Sequence, residues 1–103
     1  MKNNQAPPDP FYLSAKWKKK REYILRRDHY IDQVAKRYGK MRQATIVHHI
    51  YPLVDYPQFA LCDWNLISVS VQTHRKLENN GTLTELGKRL QLTAKIPDGV
   101  LIL

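Results

Sequence analysis

Ala44-Thr45-Ile46-Val47-His48-His49-Ile50-Tyr51-Pro52 is the stretch on which the fold turns. It is rich in β-branched side chains and reads as a strand ending before Pro52, a residue that cannot donate to a ladder. A second short strand is expected at Leu66-Ile67-Ser68-Val69-Ser70. Between them, Tyr51 to Trp64 carries Pro52, Asp55, Pro57, Asp63 and several aromatics, the composition of a long loop packed on its own side chains. A helix is expected after the second strand, from about Gln72 to Asn79, stopped by Asn80-Gly81.

Working outward, Ser14 is placed to cap a helix from Ala15 to about Arg27. Leu13, Trp17, Ile24 and Leu25 form its thin apolar stripe, and the stem of Arg21 lies between them. Ile31, Val34, Ala35 and Tyr38 repeat at i, i+3, i+4, i+7, which predicts a second short helix with Gly39 ending it. Downstream, Thr82-Leu83-Thr84-Glu85 fits a capping box that opens a helix to about Leu92. The chain then turns at Pro97-Asp98-Gly99 and ends in Val100-Leu101-Ile102-Leu103, an apolar tail that should pack on the domain or on a partner. The expected class is therefore α+β. The expected organisation is an arm over residues 1–10, a central domain over 11–81, and a C-terminal helix and tail over 82–103.

With 103 residues, the chain has room for one modest core. A charged fraction of 25% beside 43% hydrophobic residues argues against disorder. No run is long and apolar enough for a membrane span, and residues 1–8 lack the apolar stretch of a secretory signal. The single cysteine, Cys62, can form neither an internal disulfide nor a cysteine-rich zinc site, so a reducing cytoplasm is expected.

The net charge of +8 is concentrated. Eleven of the 17 Lys and Arg residues lie between Lys16 and Arg42, against Glu22, Asp28 and Asp32, and the rest of the chain balances. Such a block is either a solvated face or a footprint for a polyanion. A membrane surface fits less well, because the block carries few bulky apolar residues that could insert.

Three of the four histidines, His48, His49 and His74, fall in the strand–loop–strand–helix stretch, with Asn65 between them. Neutral imidazole is both a common divalent-metal ligand and a proton carrier near pH 7. Taken singly, each histidine is more simply an ordinary surface or core residue, and His29 is read that way. Their order is more specific: a histidine pair at a strand end, Asn after a loop, and His nine residues beyond that Asn.

Val47-His48-His49-Ile50-Tyr51-Pro52-Leu53, Trp64-Asn65-Leu66-Ile67-Ser68 and His74-Arg75-Lys76 together resemble the HNH family of ββα-metal nucleases, also called His-Me finger endonucleases. A lead-in helix, Trp17-Lys18…Arg21…Ile24-Leu25-Arg26-Arg27-Asp28, extends the resemblance from about Phe11 to Leu77, and its small size is most like bacteriophage-encoded members. The resemblance implies a ββα-metal core with N-terminal helices and a C-terminal extension. It implies His48 and His74 as metal ligands, His49 as general base, and Asn65 as the residue that pins the loop or, as the equivalent amide does in related nucleases, binds the metal; two histidine ligands favour the loop-pinning role. Glu78, four residues after His74, is either a third ligand or a solvated charge, and it departs from the histidine that several members place there. Neighbours in a regular strand face opposite sides, so His48 and His49 can serve one site only if the strand ends or twists there.

The expected cofactor is one divalent ion, Mg²⁺, Mn²⁺ or Zn²⁺. Many members add a structural zinc on two Cys-x-x-Cys pairs. Here those positions fall at Asp32, Ala35, Ser70 and Thr73, so no structural zinc is expected, and apolar packing of Ile31, Val34, Ala35 and Tyr38 is expected in its place. The implied activity is metal-dependent hydrolysis of DNA phosphodiester bonds with little sequence preference. Lys18, Lys19, Lys20, Arg26, Arg27, Arg75 and Lys76 are candidate DNA contacts. A phage setting would place the protein in the host cytoplasm beside packaging proteins such as terminase, with no membrane partner. The main alternative is a non-catalytic DNA-binding or packaging-accessory protein on the same fold.

Overall fold

The computed structural model describes residues 9–103, so most of the expected N-terminal arm lies outside the described residues. A short 3₁₀ turn at Pro10–Leu13 leads into helix α1, Ala15–Arg27. Ser14 caps it through a hydrogen bond from Trp17 N, and Trp17, Ile24 and Leu25 are its buried face. The chain reverses through His29 and Tyr30, both at φ 56°, and enters the short helix α2, Gln33–Arg37. Strands β1, Ile46–His49, and β2, Leu66–Val69, pair antiparallel, with Ile46 opposite Val69 and His49 opposite Leu66. Helix α3, Val71–Leu77, follows directly.

The two faces of this sheet carry separate cores. Val47 and Leu66 pack with Trp17, Ile24, Leu25 and Ala44 on the α1 side. Ile67 and Val69 pack with Val34, Ile50, Tyr51, Phe59, Leu77 and Leu90 on the other. Alternation along β1 therefore sends His49 toward α1 and His48 toward α3, as the aromatic contacts of each ring show.

Helix α3 is shorter than the sequence predicts. It stops at Leu77, and Glu78–Asn79 (β3) pairs with Thr82–Leu83 (β4) around Asn80-Gly81. Both turn residues have positive φ, as a two-residue hairpin turn demands. Glu78 is thus an extended residue at the helix end rather than part of its last turn. The hairpin also moves the next cap: Thr84, not Thr82, accepts from Gly87 N and opens helix α4, Glu85–Leu92. The expected boundary after Gly81 falls inside this hairpin. Beyond α4, Ala94, Ile96, Val100 and Ile102 pack on the core, while Leu101 and Leu103 are exposed.

The apolar packing of Ile31, Val34, Ala35 and Tyr38 expected in place of a zinc knuckle is only half present. Val34 and Ala35 are buried, but Tyr38 is 68% exposed. A fully buried carboxylate does the joining instead. Asp32 Oδ1 caps α2 by accepting from Val34 N at 3.0 Å and Ala35 N at 2.8 Å. Its Oδ2 accepts from Ser70 N at 2.9 Å and Ser70 Oγ at 2.7 Å, and Ser70 Oγ in turn accepts from Thr73 N at 3.1 Å. Burial alone would raise the Asp32 pKa. The bonds from Ala35, Thr73 and Ser70 outweigh it and hold the carboxyl below its ordinary value.

Two stability predictions follow from this packing. Asp32→Asn places an amide N–H against the donors of either Ser70 or α2, and should cost about 2–3 kcal/mol in denaturant unfolding near neutral pH. Because the folded-state pKa is depressed, the carboxylate's contribution is complete above the unfolded value and is lost as pH falls through the folded one. The gap between wild type and Asp32→Asn should therefore narrow in strong acid. Gly87 is needed for a close approach, since a Cβ there would sit 2.4 Å from the Leu77 carbonyl oxygen. Gly87→Ala should lower stability by about 1–3 kcal/mol despite alanine's better helix propensity, measured by thermal melting.

Candidate active site

His48 and His49 point to opposite faces of β1, and both line one open cleft of about 940 Å³. This is possible because β1 ends at His49 and the chain bends at Ile50, so the cleft passes across the end of the strand. His74 comes from α3, Glu78 from the residue that caps it, and Tyr12, Trp17 and Arg21 from the N-terminal segment.

On the α3 side, His48, His74 and Glu78 each offer one ligand atom within 4.8 Å of one another. Glu78 Oε2 is hydrogen-bonded to His74 Nε2 and lies 3.7 Å from His48 Nδ1. The two imidazoles, His48 foremost, hold the Glu78 carboxyl well below the usual carboxylate range, against the effect of its burial. It is therefore an ionised donor at neutral pH. His48 is almost wholly buried, and its Nε2 is the one buried side-chain nitrogen or oxygen without a hydrogen-bond partner among the described residues. The His48 nitrogen that faces Glu78 is Nδ1, so an ion shared with Glu78 and His74 would lie on that side of the ring. Two imidazoles and a carboxylate suit a divalent ion with positions left for substrate and water.

On the α1 side, His49 is caged. Its ring stacks on Trp17 with centroids 5.0 Å apart and planes at 25°, and Phe11 and Tyr12 approach edge-on. His49 Nε2 lies 3.0 Å from the Ala60 carbonyl oxygen. A carbonyl can only accept, so Nε2 carries the proton and Nδ1 keeps its lone pair. Burial lowers the His49 pKa; the bond to Ala60 acts the other way, and His48 adds to the lowering. The Tyr12 phenol is pushed up by burial and by Glu78 and Asp9, so it stays protonated at the cleft wall.

Asn65 lies outside the cleft lining and fully inside the protein. Its Oδ1 accepts from Tyr51 N at 2.7 Å, and its Nδ2 donates to Tyr51 O at 3.1 Å and Phe59 O at 3.2 Å. One amide thus ties the end of β1 to the loop segment that presents the Ala60 carbonyl to His49.

Of the candidate nucleic-acid contacts, Lys18, Lys19, Arg26, Arg75 and Lys76 are exposed. Two others are occupied within the protein. Lys20 pairs with Asp63. Arg27 forks onto Asp28 at 2.9 Å and donates to the Asp63 and Leu66 carbonyls. Trp17 and Tyr12, which the sequence reading did not single out for the site, are brought to it. Trp17 was legible only as an apolar helix position, and nothing in the sequence tied it to His49.

No protein-family model and no curated protein matches the chain. Among solved structures, it is similar to the HNH endonuclease of the deep-sea thermophilic bacteriophage GVE2, a crystal structure with manganese ion. The TM-score is 0.62 and the identity 34%, over 63% of this chain and 71% of that one. At that identity and coverage the likeness goes beyond the fold: the chain belongs to the HNH endonuclease family and is a metal-dependent nuclease.

Proposed function

We propose that the protein hydrolyses DNA phosphodiester bonds with little sequence preference, using His49 as general base and His48, His74 and Glu78 to hold one divalent ion. The observation that carries this reading is the division of labour across the end of β1. A ligand set of two imidazoles and an ionised carboxylate faces one side, and an imidazole of defined tautomer faces the other. When bound, the ion supplies Lewis-acid stabilisation of charge on the phosphate and the departing oxygen.

The chain's own residues do the rest. His49 takes the proton of the attacking water on Nδ1, while Ala60 anchors Nε2 and Trp17 fixes the plane of the ring. The lowered pKa keeps that nitrogen unprotonated at neutral pH. Asn65 acts at a distance, as a positioning residue, by setting where Ala60 sits. The exposed cations Lys18, Lys19, Arg26, Arg75 and Lys76 attract the backbone without reading bases, which supports low sequence preference. Among the described residues no helix is long and apolar enough to cross a membrane. A phage setting, with host-cytoplasmic DNA as substrate, is supported by the likeness to one phage endonuclease; packaging proteins such as terminase are expected only from the phage-type resemblance of the sequence, and the proposed chemistry depends on neither.

A plasmid-nicking assay with Mn²⁺ or Mg²⁺ tests the assignment. His49→Ala should lose about 10²–10⁴-fold in rate while its calorimetric affinity for Mn²⁺ stays near wild type. His74→Ala and Glu78→Ala should lose metal affinity as well as rate. Full activity in His49→Ala would remove the base from the scheme, and a wild type that binds DNA but never nicks it would favour the non-catalytic alternative.

Metal removal should separate catalysis from folding. A chelator should abolish cleavage and lower the melting temperature only by the binding contribution of the ion, about 2.7 kcal/mol when free metal is a hundredfold above its dissociation constant. Circular dichroism should show the chelated chain still folded; loss of structure would mean that an ion holds the fold together.

A further inference from the structure

The cleft continues past Trp17 to Arg21. Arg21 follows Trp17 by one turn of α1, so the two share a helix face, with Trp17 on His49 and Arg21 beyond it. Among the residues that line the cleft, Arg21 is the only Lys or Arg, and it shares the lining with the acids Asp9 and Glu78. Its Nη2 donates to the Thr45 carbonyl at 2.6 Å. Among the described residues it makes no ion pair, in contrast to its neighbours Lys20 and Arg27. A guanidinium has five N–H donors in a rigid fork. One bond to Thr45 aims the fork and leaves the other donors for an anion in the cleft.

The position of that anion follows from strand geometry. Thr45 precedes His48 by three residues, about 10 Å at roughly 3.3 Å per extended residue. Arg21, tethered at Thr45, is thus set back along the cleft from the side chains that would hold a phosphate beside His48, His74 and Glu78. It is well placed for another phosphate of the same strand. Resting on the nuclease reading above, we propose that Arg21 clamps a phosphate flanking the scissile one, so that the cleft grips the cut strand at two points.

The test pairs a duplex oligonucleotide with thymidine 5′-p-nitrophenyl phosphate, a substrate with one phosphodiester and no flanking phosphate. Arg21→Gln keeps a donor for Thr45 but removes the charge and the fork. It should raise KM on the duplex about tenfold or more with kcat little changed, and leave turnover of the small ester as in wild type. Arg21→Lys should recover part of the loss. Neutralising one flanking phosphate as a methylphosphonate should reproduce the KM increase in the wild-type protein, and Arg21→Gln should be insensitive to it, a readout that stands even if a variant folds poorly. If wild type cleaves both substrates and Arg21→Gln matches it on the duplex, or if no methylphosphonate position matters, the clamp is wrong and the nuclease reading stands. Equal losses on both substrates would show that Arg21 acts at the scissile phosphate or in the fold, which also overturns the clamp. A wild type that cleaves neither substrate overturns the clamp and the nuclease reading together.

Discussion

The outer edge of β2 is the constraint on which the rest of the structure depends. A sheet of two four-residue strands leaves half of its backbone groups facing away from the partner strand, and every residue of β2 is buried from water. Side chains close that edge. Arg27 donates to the Leu66 carbonyl, Asp28 Oδ2 accepts from Ser68 N at 3.0 Å, and Asp32 Oδ2 accepts from Ser70 N at 2.9 Å. The two aspartates are four residues apart across the end of α1 and the start of α2, and the amides they meet are two residues apart on an extended strand. That match fixes both helices to the sheet. It also reaches the active site, because Ser70 is the N-cap of α3, the helix that carries His74. Asp32 thus links the cap of α2 to the cap of α3 at the four positions where zinc-knuckle relatives would place cysteines. Directional hydrogen bonds to one buried charge do here what thiolates on an ion would do there.

The same economy governs the site. Asn65 saturates both backbone groups of Tyr51 and the carbonyl of Phe59. Without it, the end of β1 would expose buried polar groups and Ala60 would lose its position against His49. The side chain that terminates the strand cleanly is therefore the one that sets the Ala60 carbonyl against His49. Strand termination is also what lets two adjacent histidines, on opposite faces, open into a single cleft.

Much of this was legible in the sequence, and what was not has a common cause. Helix α1 appears with its expected cap and end because Ser14, the apolar stripe and the terminal arginines are all local signals. Both core strands lie within their expected runs. The hairpin at residues 78–83 was missed although Asn80-Gly81 is a strong turn signal, because the turn was read as a helix stop and Glu78 as a helical neighbour of His74. Glu78 reaches His74 all the same, from the helix end. The errors of larger range concern partners far apart in the chain. Lys20 meets Asp63 and Arg27 meets Leu66, 43 and 39 residues away, so no reading of a local charge block could show that these cations are spent inside the protein. Nor could it show that Arg21, unremarkable within that block, is the one that lines the cleft. Asp32, taken for a vacated knuckle position, proved to be the centre of a network only because Ser70, 38 residues on, lies beside it.

A small domain that builds its fold and its site from the same polar contacts constrains where function can vary. Trp17, Asn65 and Asp32 each hold structure and chemistry together, so substitution at any of them disturbs both. Glu78 and Arg21 differ. Both stand at the cleft wall, partly open to solvent, and neither caps a helix through its side chain. On the proposed ligand set, a carboxylate at Glu78 makes the site harder and more negative than a third imidazole would, which shifts preference toward oxygen-seeking ions such as Mg²⁺ and Mn²⁺ and away from Zn²⁺. The negative charge also makes the cleft less hospitable to a phosphate chain, and Arg21 supplies a positive charge to the same lining. The proposals for Glu78 and Arg21 therefore join: one residue would set which ion the site holds, and the other would restore the potential that a polyanion needs. Histidine at position 78 would lessen the need for Arg21, and loss of Arg21 should be felt most while Glu78 is present.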